Sequence, residues 1–540
     1  LFWEAVDARA SSGDLDSRWV ASHLLDIADG LRRSSPWALL PPDLPRKVAH
    51  LLTRGTPPVL TLWPPQVDLL SQEANPLNPE IKRLILSLPT SAGKTLLAGF
   101  VIGAHLAAGR GSVCVVVPTH SLAREVRRDL RRRLRLLGHD VIGADLSTTF
   151  DREGRTFAAV MTPEALAAQL RSDPGRLLDV FSMFVIDEAH LVGDKGRGWV
   201  LESVLSFLHE ETRSTEHRIL LLSAALGNAA HFVAWMGEES VSIDVDWRGP
   251  RRVHAIWSQE VDWRASRQIP PRRPNALPRR EAPYHGVLTV RTGQERGAWE
   301  RFRTTGPLGK RVEVRRAGMW VRDANQSTRL YRMRVPLARL LGRHGPVLII
   351  ESTKADCQRF AEALAEELPE DSNTAPLVAL AISRLEHEHP LVRTLRKGVG
   401  FHHAALPEDV QAELEDAVRQ ERLRYLVSTT TLIEGVNLPV RSVLIGSRSY
   451  RTTEGSVTTL DEARLLNAVG RAGRATKETE GWVVLADYRF DEDLFRELGR
   501  TAADISVWSE LATTSALESL ARFEDVVRAG EDAVLTYTGK

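Results

Sequence analysis

Short runs of consecutive apolar residues recur along most of the chain, and stretches with helical spacing separate them. Strands buried on both faces of a parallel sheet have this pattern, and the helices between them supply the crossovers. The first set of runs is LILSL (84–88), VCVVV (113–117), MFVIDE (183–188) and RILLLSA (218–224). The second set is PVLIIEST (346–353), VGFHHAAL (399–406), RYLVSTTT (424–431), SVLIGSR (442–448) and GWVVLAD (481–487). The pattern predicts an α/β fold with two parallel-sheet lobes in tandem, at 58–245 and 336–490.

Three further segments have a different pattern. Residues 1–57 predict short amphipathic helices with an apolar stripe that includes Trp19, Ile27 and Leu31. Residues 246–335 contain a Pro- and Arg-rich break and then an alternating stretch, which predicts an insertion or a small β module between the lobes. Residues 491–540 predict a helical C-terminal segment.

Composition narrows the class of protein. A chain of 540 residues with 43% hydrophobic and 26% charged residues predicts a globular protein of several domains. No apolar run is long enough to span a membrane, and the start at Leu1 predicts a truncated chain rather than a signal peptide. The two cysteines, Cys114 and Cys357, lie beside apolar positions, so we expect buried thiols in a reducing, cytoplasmic compartment. The net charge of +1 predicts that any nucleic-acid path is local.

The segment LSLPTSAGKT places a strand before a glycine-containing turn and a helix after it. Backbone N–H groups of such a turn converge on phosphate oxygens, and the helix N-terminus adds its positive dipole. We therefore expect ATP phosphates at Thr90, Ser91, Ala92, Gly93, Lys94 and Thr95. Lys94 would reach the β- and γ-phosphates, and the hydroxyl of Thr95 would hold magnesium. The alternative is a plain strand-to-helix turn that contains Gly-Lys-Thr.

The segment VIDEAH ends an apolar run in two carboxylates. Asp187 is placed to bind magnesium through water, and Glu188 can accept a proton from the water that attacks the γ-phosphate. Two adjacent acids can also belong to a solvated loop. The two acids follow a buried strand, and that strand comes after the lysine loop in the chain. An ATPase sheet requires this order, which favours the catalytic interpretation.

The segment NAVGRAGR carries Arg471 and Arg474, three residues apart. On one helix face both side chains could point at the same γ-phosphate, where arginine stabilises the charge of the transition state. An isolated arginine pair is more often a solvated helix face. As partners of Lys94 and the two acids, the arginines predict hydrolysis that needs groups from both lobes.

Together these segments resemble superfamily 2 helicases, and more narrowly the Ski-like group with archaeal repair helicases and bacterial Lhr-type enzymes. The resemblance covers residues 58–490. The similar motifs are WPPQ (63–66), PTHSLARE (118–125), MTPEAL (161–166), DEAHLVGDKGRGWVLE (187–202), SAALGNAAHFVAWMG (223–237), FHHAALPEDV (401–410) and STTTLIEGVNLPV (428–440). Pro89, in place of the strict loop's first glycine, is also typical of this superfamily.

The resemblance implies two RecA-like lobes, ATP and magnesium as cofactors, and movement with 3′–5′ polarity. It implies adenine contact by Gln66, a nucleotide-side position for Gly435 and Asn437, and coupling roles for His190 and Ser223. It further implies that Thr119, Thr162 and Thr429 grip the sugar–phosphate backbone.

The leading hypothesis is an ATP-dependent helicase or translocase on single-stranded or tailed nucleic acid. DNA is favoured, in bacterial DNA repair or antiviral defence. Two departures from the group, Ala225 for threonine and Asn467 for glutamine, leave ATP hydrolysis intact and make coupling to unwinding less secure. An ATP-gated clamp or sensor that serves a partner nuclease, or an RNA-remodelling helicase, therefore stays an alternative.

Two arginine clusters are candidate nucleic-acid contacts. The first follows PTHSLARE, and either a solvated surface or a nucleic-acid contact fits it. In the inter-lobe segment, arginines alternate with Trp257 and Trp263, which fits a single-strand path or a tryptophan-anchored module. The arginines are Arg124, Arg127, Arg128, Arg131, Arg132, Arg133 and Arg135 in the first cluster, and Arg251, Arg252, Arg264, Arg267, Arg272, Arg273, Arg279 and Arg280 in the second.

Overall fold

The computed structural model describes most of the chain in two compact units, one on residues up to 247 and one on residues 248–504. The described residues are 2–11, 14–55, 58–88, 93–146, 155–193, 198–223, 229–237, 239–245, 251–270, 279–293, 295–307, 312–314, 326–429, 438, 440–446, 449–451, 457–459, 465, 468–473, 480–486 and 491–499.

Helices occur in both units. They are α1 (Phe2–Ala10), α2 (Leu15–Arg33), α3 (His50–Thr53), α4 (Pro64–Ser71), α5 (Lys94–Ala107), α6 (His120–Leu134), α7 (Pro163–Ser172), α8 (Pro174–Val180), α9 (Gly198–Glu211), α10 (Ala229–Met236), α11 (Gln326–Gly342), α12 (Lys354–Ala365), α13 (Ala375–Arg384), α14 (Pro390–Leu395), α15 (Glu408–Arg419) and α16 (Asp493–Leu498). Short 3₁₀ turns span Arg46–Ala49, Arg135–Leu137, Ala189–Gly193 and Ser372–Thr374. Among the described residues, no helix is long and apolar enough to cross a membrane.

The first unit is built on a seven-stranded sheet in which every neighbouring pair is parallel. Its strands are β1 (Arg83–Ser87), β2 (Ser112–Val116), β3 (Asp140–Ile142), β4 (Phe157–Met161), β5 (Phe181–Ile186), β6 (Arg218–Ser223) and β7 (Ser240–Asp244). Their order in the sheet is β3-β4-β2-β5-β6-β1-β7. All residues of β1, β2, β4 and β6 are buried, because helices cover a parallel sheet on both faces.

The second unit contains an eight-stranded mixed sheet. Its strands are β8 (Arg251–Val261), β11 (Tyr284–Arg291), β12 (Trp299–Arg303), β14 (Val347–Glu351), β15 (Val399–His402), β16 (Tyr425–Thr429), β17 (Ser442–Ile445) and β20 (Glu480–Ala486). Their order is β12-β11-β8-β20-β17-β14-β16-β15. The neighbours from β8 to β15 are parallel, and β11 and β12 extend the sheet antiparallel.

The segment 246–335 thus supplies three strands to the sheet of the second unit, with β8 directly beside β20. It also supplies β9 (Arg267–Ile269), β10 (Arg279–Ala282) and β13 (Val312–Val314), which form a small antiparallel sheet. A two-stranded ribbon, β18 (Ser449–Arg451) and β19 (Val457–Thr459), completes the strands of the described residues. The predicted α/β class with two sheets is confirmed.

A buried ion pair joins α11 to the carboxyl end of β14. The Arg334 guanidinium lies 2.9 Å from a carboxylate oxygen of Glu351, and it also donates to the carbonyl oxygen of Gly446. Burial raises the pKa of Glu351 to about 7, although the positive charge of Arg334 opposes the rise. The pair therefore fixes the carboxyl ends of β14 and β17 at the cost of desolvating two charges.

Candidate functional site

The carboxyl ends of β1, β6 and β5 are neighbours at one edge of the first sheet. β1 ends at Ser87, β6 ends at Ser223, and β5 ends directly before Asp187. Parallel strands carry their functional residues at this edge, because all their carboxyl ends meet there. Groups that are far apart in the sequence therefore lie together.

Lys94 begins α5 and is 6% exposed. Its ammonium nitrogen lies 3.1 Å from Asp187 Oδ1 and 2.7 Å from Glu188 Oε1. Burial alone would lower the pKa of Lys94, but the two negative charges outweigh it and raise this pKa above its ordinary value. The predicted lysine and the two predicted acids thus form one charged cluster.

Glu188 has a left-handed backbone conformation, with φ of 54°. A non-glycine residue seldom adopts this conformation, and its cost, about 1–3 kcal/mol, is tolerated mostly at functional sites. Its N–H group donates to Asp187 Oδ1 over 2.9 Å, which stabilises the turn after β5. The turn directs the carboxylates of both acids towards Lys94.

Gln66 lies beside Gly93, the residue that precedes Lys94. It is 2% exposed, in the first turn of α4, and its Oε1 accepts a 3.1 Å hydrogen bond from the N–H of Trp63. Its amide nitrogen lies so close to Gly93 that a Cβ on residue 93 would clash with it. Gly93 also has φ of 77°, which glycine adopts without strain. The predicted adenine-contact residue and the glycine of the predicted phosphate loop are therefore neighbours.

His190 connects the acids to the end of β6. Its Nδ1 lies 3.4 Å from Glu188 Oε2 and 3.2 Å from the hydroxyl oxygen of Ser223. Burial lowers the pKa of His190, so the ring is neutral near pH 7. Both predicted coupling residues are buried in direct contact with each other.

Comparison with known proteins identifies the kind of domain that holds these groups. Residues 71–232 match the family described as DEAD/DEAH box helicase. The ATP-dependent DNA helicase Hel308 of Thermoplasma acidophilum is 29% identical over 73% of this chain and 48% of its own length. The Hel308 of Pyrobaculum calidifontis is 28% identical, with coverages of 82% and 54%. The Hachiman protein HamB of Bacillus cereus is 24% identical, with coverages of 87% and 41%.

The chain carries a DEAD/DEAH box helicase domain. It is homologous to superfamily 2 helicases, as the motifs predict. It spans about half the length of the relatives named above, at 41%, 48% and 54%.

Two of the predicted strand-contact residues cap helices of this helicase domain. Thr119 follows β2 and accepts a hydrogen bond from Leu122 N–H at the start of α6. Thr162 follows β4 and accepts one from Ala165 N–H at the start of α7. Because β2 and β4 are adjacent, both helix N-termini lie at the same sheet edge.

The second unit repeats this arrangement at a residue that the sequence analysis missed. Thr353 follows β14 and caps α12 by accepting from Asp356 N–H over 3.1 Å. The neighbouring strand β16 ends at Thr429, which is 8% exposed. A threonine between an apolar run and a helix was the available signal, since Thr119 and Thr162 have the same context.

Arg471 differs from its predicted placement on a helix face. Helical structure ends at residue 470, and Arg471 lies in the turn that follows. Its carbonyl oxygen accepts from Val440 N–H over 3.0 Å, and Gly473 N–H donates to the Val440 carbonyl oxygen over 2.9 Å. The positive φ of Gly473, 85°, ends the helical turn early. Outside the described residues lie Thr90, Ser91, Ala92, Ala225, Gly435, Asn437, Asn467 and Arg474.

The two tryptophans of the inter-lobe segment have different environments. Trp257 is 4% exposed in β8 and belongs to the core of the second unit, so stacking on a nucleic-acid base is excluded for it. Trp263 is 43% exposed. The tryptophan-anchored interpretation therefore holds for Trp257.

Proposed function

We propose that this chain is the motor part of an ATP-dependent DNA helicase or translocase. The carrying observation is the buried cluster in which Lys94 contacts Asp187 and Glu188, with Gln66 against Gly93 at the same site. The DEAD/DEAH match and the relatives that are called ATP-dependent DNA helicases support it.

The arrangement of charges suits a magnesium–nucleotide complex. Asp187 and Thr95 would hold magnesium, since carboxylate and hydroxyl oxygens are ligands that this ion prefers. When bound, the ion would neutralise charge on the phosphates. Lys94, paired with carboxylates in this structure, would exchange them for phosphate oxygens of ATP.

Glu188 is the group that we propose as the acceptor of the proton from the attacking water. Its carboxylate contacts both Lys94 and His190, so its position is fixed before ATP arrives. We propose Arg471 and Arg474 as the arginines that stabilise the charge of the transition state. Gly435 and Asn437 are proposed nucleotide neighbours on the basis of the motif resemblance.

Binding of one strand is proposed at the capped helix ends. The hydroxyl oxygens of Thr119 and Thr162 accept backbone N–H bonds, which hold both side chains at the N-termini of α6 and α7. Helix N-termini bind phosphates through their dipoles and N–H groups. In the second unit the proposed contacts are Thr429 and the N-terminus of α12, where the Thr353 hydroxyl donates to Asp356 Oδ2 over 2.7 Å. Backbone contacts carry no base information, so binding is sequence-independent.

The link from Glu188 through His190 to Ser223 is proposed to couple hydrolysis to strand binding. A change in charge at Glu188 alters the hydrogen bond between His190 and Ser223 at the end of β6. We further propose that the motor moves with 3′–5′ polarity and acts in bacterial DNA repair or antiviral defence.

An ATP-gated clamp or sensor with a partner nuclease is the second candidate. Ala225 favours it, because alanine lacks the hydroxyl that threonine would offer for coupling. RNA remodelling by the same motor is the third, since backbone grip does not by itself distinguish the 2′-hydroxyl.

Two measurements test the proposal. ATPase activity is measured alone, with single-stranded DNA and with RNA of matched sequence, and strand displacement is measured on a 3′-tailed and a 5′-tailed duplex. We expect stimulation by DNA and displacement on the 3′-tailed duplex. ATPase activity that neither DNA nor RNA stimulates would refute the proposal. Stimulation without displacement would support the clamp, and stronger stimulation by RNA would support the remodelling enzyme.

A further inference from the structure

The arginine cluster after β2 concentrates positive charge in a chain that is almost neutral. Residues 119–137 contain seven arginines and two acidic residues, whereas the whole chain has a net charge of +1. Most of this segment is α6, whose buried face consists of Val126, Leu130 and Leu134. The positive charge of this segment therefore lies on the polar faces of α6.

Three of the seven arginines contact identified groups of the first unit. Arg131 donates to the carbonyl oxygen of Val141 over 2.9 Å, and Arg133 pairs with Asp129 at 3.0 Å. Arg127 packs against Gly143. Such contacts are not confined to these three, since Arg124 and Arg128 also interact with other residues of the chain.

Four arginines form a line along α6 and into the 3₁₀ turn that follows it, and we name this line the α6 arginine stripe: Arg124, Arg128, Arg132 and Arg135. Spacings of four, four and three residues place them on one face, within a helical angle of roughly 80°. Arg128, Arg132 and Arg135 are exposed, and Arg124 is half-buried. The stripe is roughly 16 Å long, since each helical residue rises about 1.5 Å.

The stripe starts close to a proposed strand contact. Thr119 caps the same helix, and Arg124 follows it by little more than one turn. Nucleic acid that contacts Thr119 would therefore reach the first arginine, and its continuation along α6 would reach the others.

The chemistry of the stripe fits duplex phosphates better than a single strand. Residues 119–137 contain no Phe, Trp or Tyr, and single-strand paths use such side chains to stack bases. A B-form duplex carries one phosphate charge per about 1.7 Å of axis, so its backbone offers acceptors along the full length of the stripe. The planar guanidinium group of arginine can also donate two hydrogen bonds to the oxygens of one phosphate.

We propose that the α6 arginine stripe binds the phosphate backbone of duplex DNA next to the strand that the motor grips. This inference rests on the proposed function. It adds a second nucleic-acid surface, specific for the duplex arm of a tailed substrate.

The test removes three charges from the stripe. Arg128→Gln, Arg132→Gln and Arg135→Gln are combined, and the control combines Arg18→Gln, Arg32→Gln and Arg33→Gln on the exposed side of α2. The affinities of the full chain for blunt duplex DNA and for single-stranded DNA are measured over a series of salt concentrations. The control has the same change in net charge on another helix.

We expect the stripe variant to lose at least about tenfold in duplex affinity at low salt. The slope of log affinity against log salt should become shallower by roughly 2–3, since each lost duplex contact contributes about 0.9. Single-strand affinity should stay within about twofold, and the control variant should resemble the original chain.

An unchanged duplex slope would overturn the inference, and so would an equal loss for duplex and single strand. These outcomes leave the proposed function standing when single-stranded DNA still stimulates ATP hydrolysis. Failure of the original chain to bind any nucleic acid would overturn both.

Discussion

The side-chain amide of Gln66 fills the space that a Cβ on Gly93 would need. This contact joins the first turn of α4 to the residue before Lys94. Two features favour glycine at residue 93: the close approach of Gln66 and the positive φ of 77°.

Gly93→Ala should therefore damage nucleotide binding. We expect a fall in kcat/KM for ATP of at least about tenfold, because the methyl group displaces Gln66 and strains the loop by about 1–3 kcal/mol. The matched control is Gly109→Ala, which has φ of 69° and open space around it. Similar kcat/KM values for the two variants would show that the contact with Gln66 has no role.

Lys94→Ala should abolish ATP hydrolysis and strand movement together. Loss of the ammonium group removes the cation that would contact the phosphates, which we expect to lower kcat at least about 100-fold. Single-strand binding should persist, since Thr119 and Thr162 lie on other loops. Lys82→Ala, at a lysine paired with Glu216, is the control. Normal ATP turnover in the Lys94 variant would overturn the site assignment.

Ser223→Ala should weaken coupling more than hydrolysis itself. It removes the hydroxyl that lies 3.2 Å from His190 Nδ1 while leaving Lys94 and the acids in place. We expect the DNA-stimulated ATPase rate to fall by a larger factor than the unstimulated rate. Ser203→Ala, which removes a hydroxyl bonded within α9, is the control. Equal factors for the two rates would contradict a coupling role.

Glu351→Gln should change how stability depends on pH. The pKa of Glu351 is raised to about 7, so the folded chain holds a proton that the unfolded chain releases from about pH 4.5 upwards. That contribution to stability is fully present below the unfolded pKa and is lost as pH rises towards 7.

Glutamine cannot titrate. The Tm of the variant minus the Tm of the original chain should therefore increase from pH 5 to pH 7.5, as expected for a pKa of about 7. Thermal unfolding at several pH values measures it. Glu367→Gln, at an exposed partner of Arg339, should show no such trend. A constant difference for Glu351→Gln would refute the raised pKa.

The strands of both parallel regions could be predicted because each is a short apolar run between helical stretches. The runs at 84–88, 113–117 and 424–431 correspond to β1, β2 and β16, with ends that agree within two residues. β8 was harder to place, since its partner β20 lies more than 200 residues away in the sequence. The local pattern of apolar residues predicts that a segment is a strand. Which strand it pairs with depends on which sheet edge, formed by residues distant in the sequence, is available.

The amino-acid sequence alone determined which residue types were available for phosphate chemistry: Lys94, Asp187 and Glu188, each beside an apolar strand. Only the tertiary structure decided that these three groups form one buried cluster, that Gln66 packs against Gly93 and that Trp257 is core. The physical reason is range. Strand and helix patterns follow from neighbours in the chain, but burial and charge pairing depend on residues that meet only when the sheet assembles.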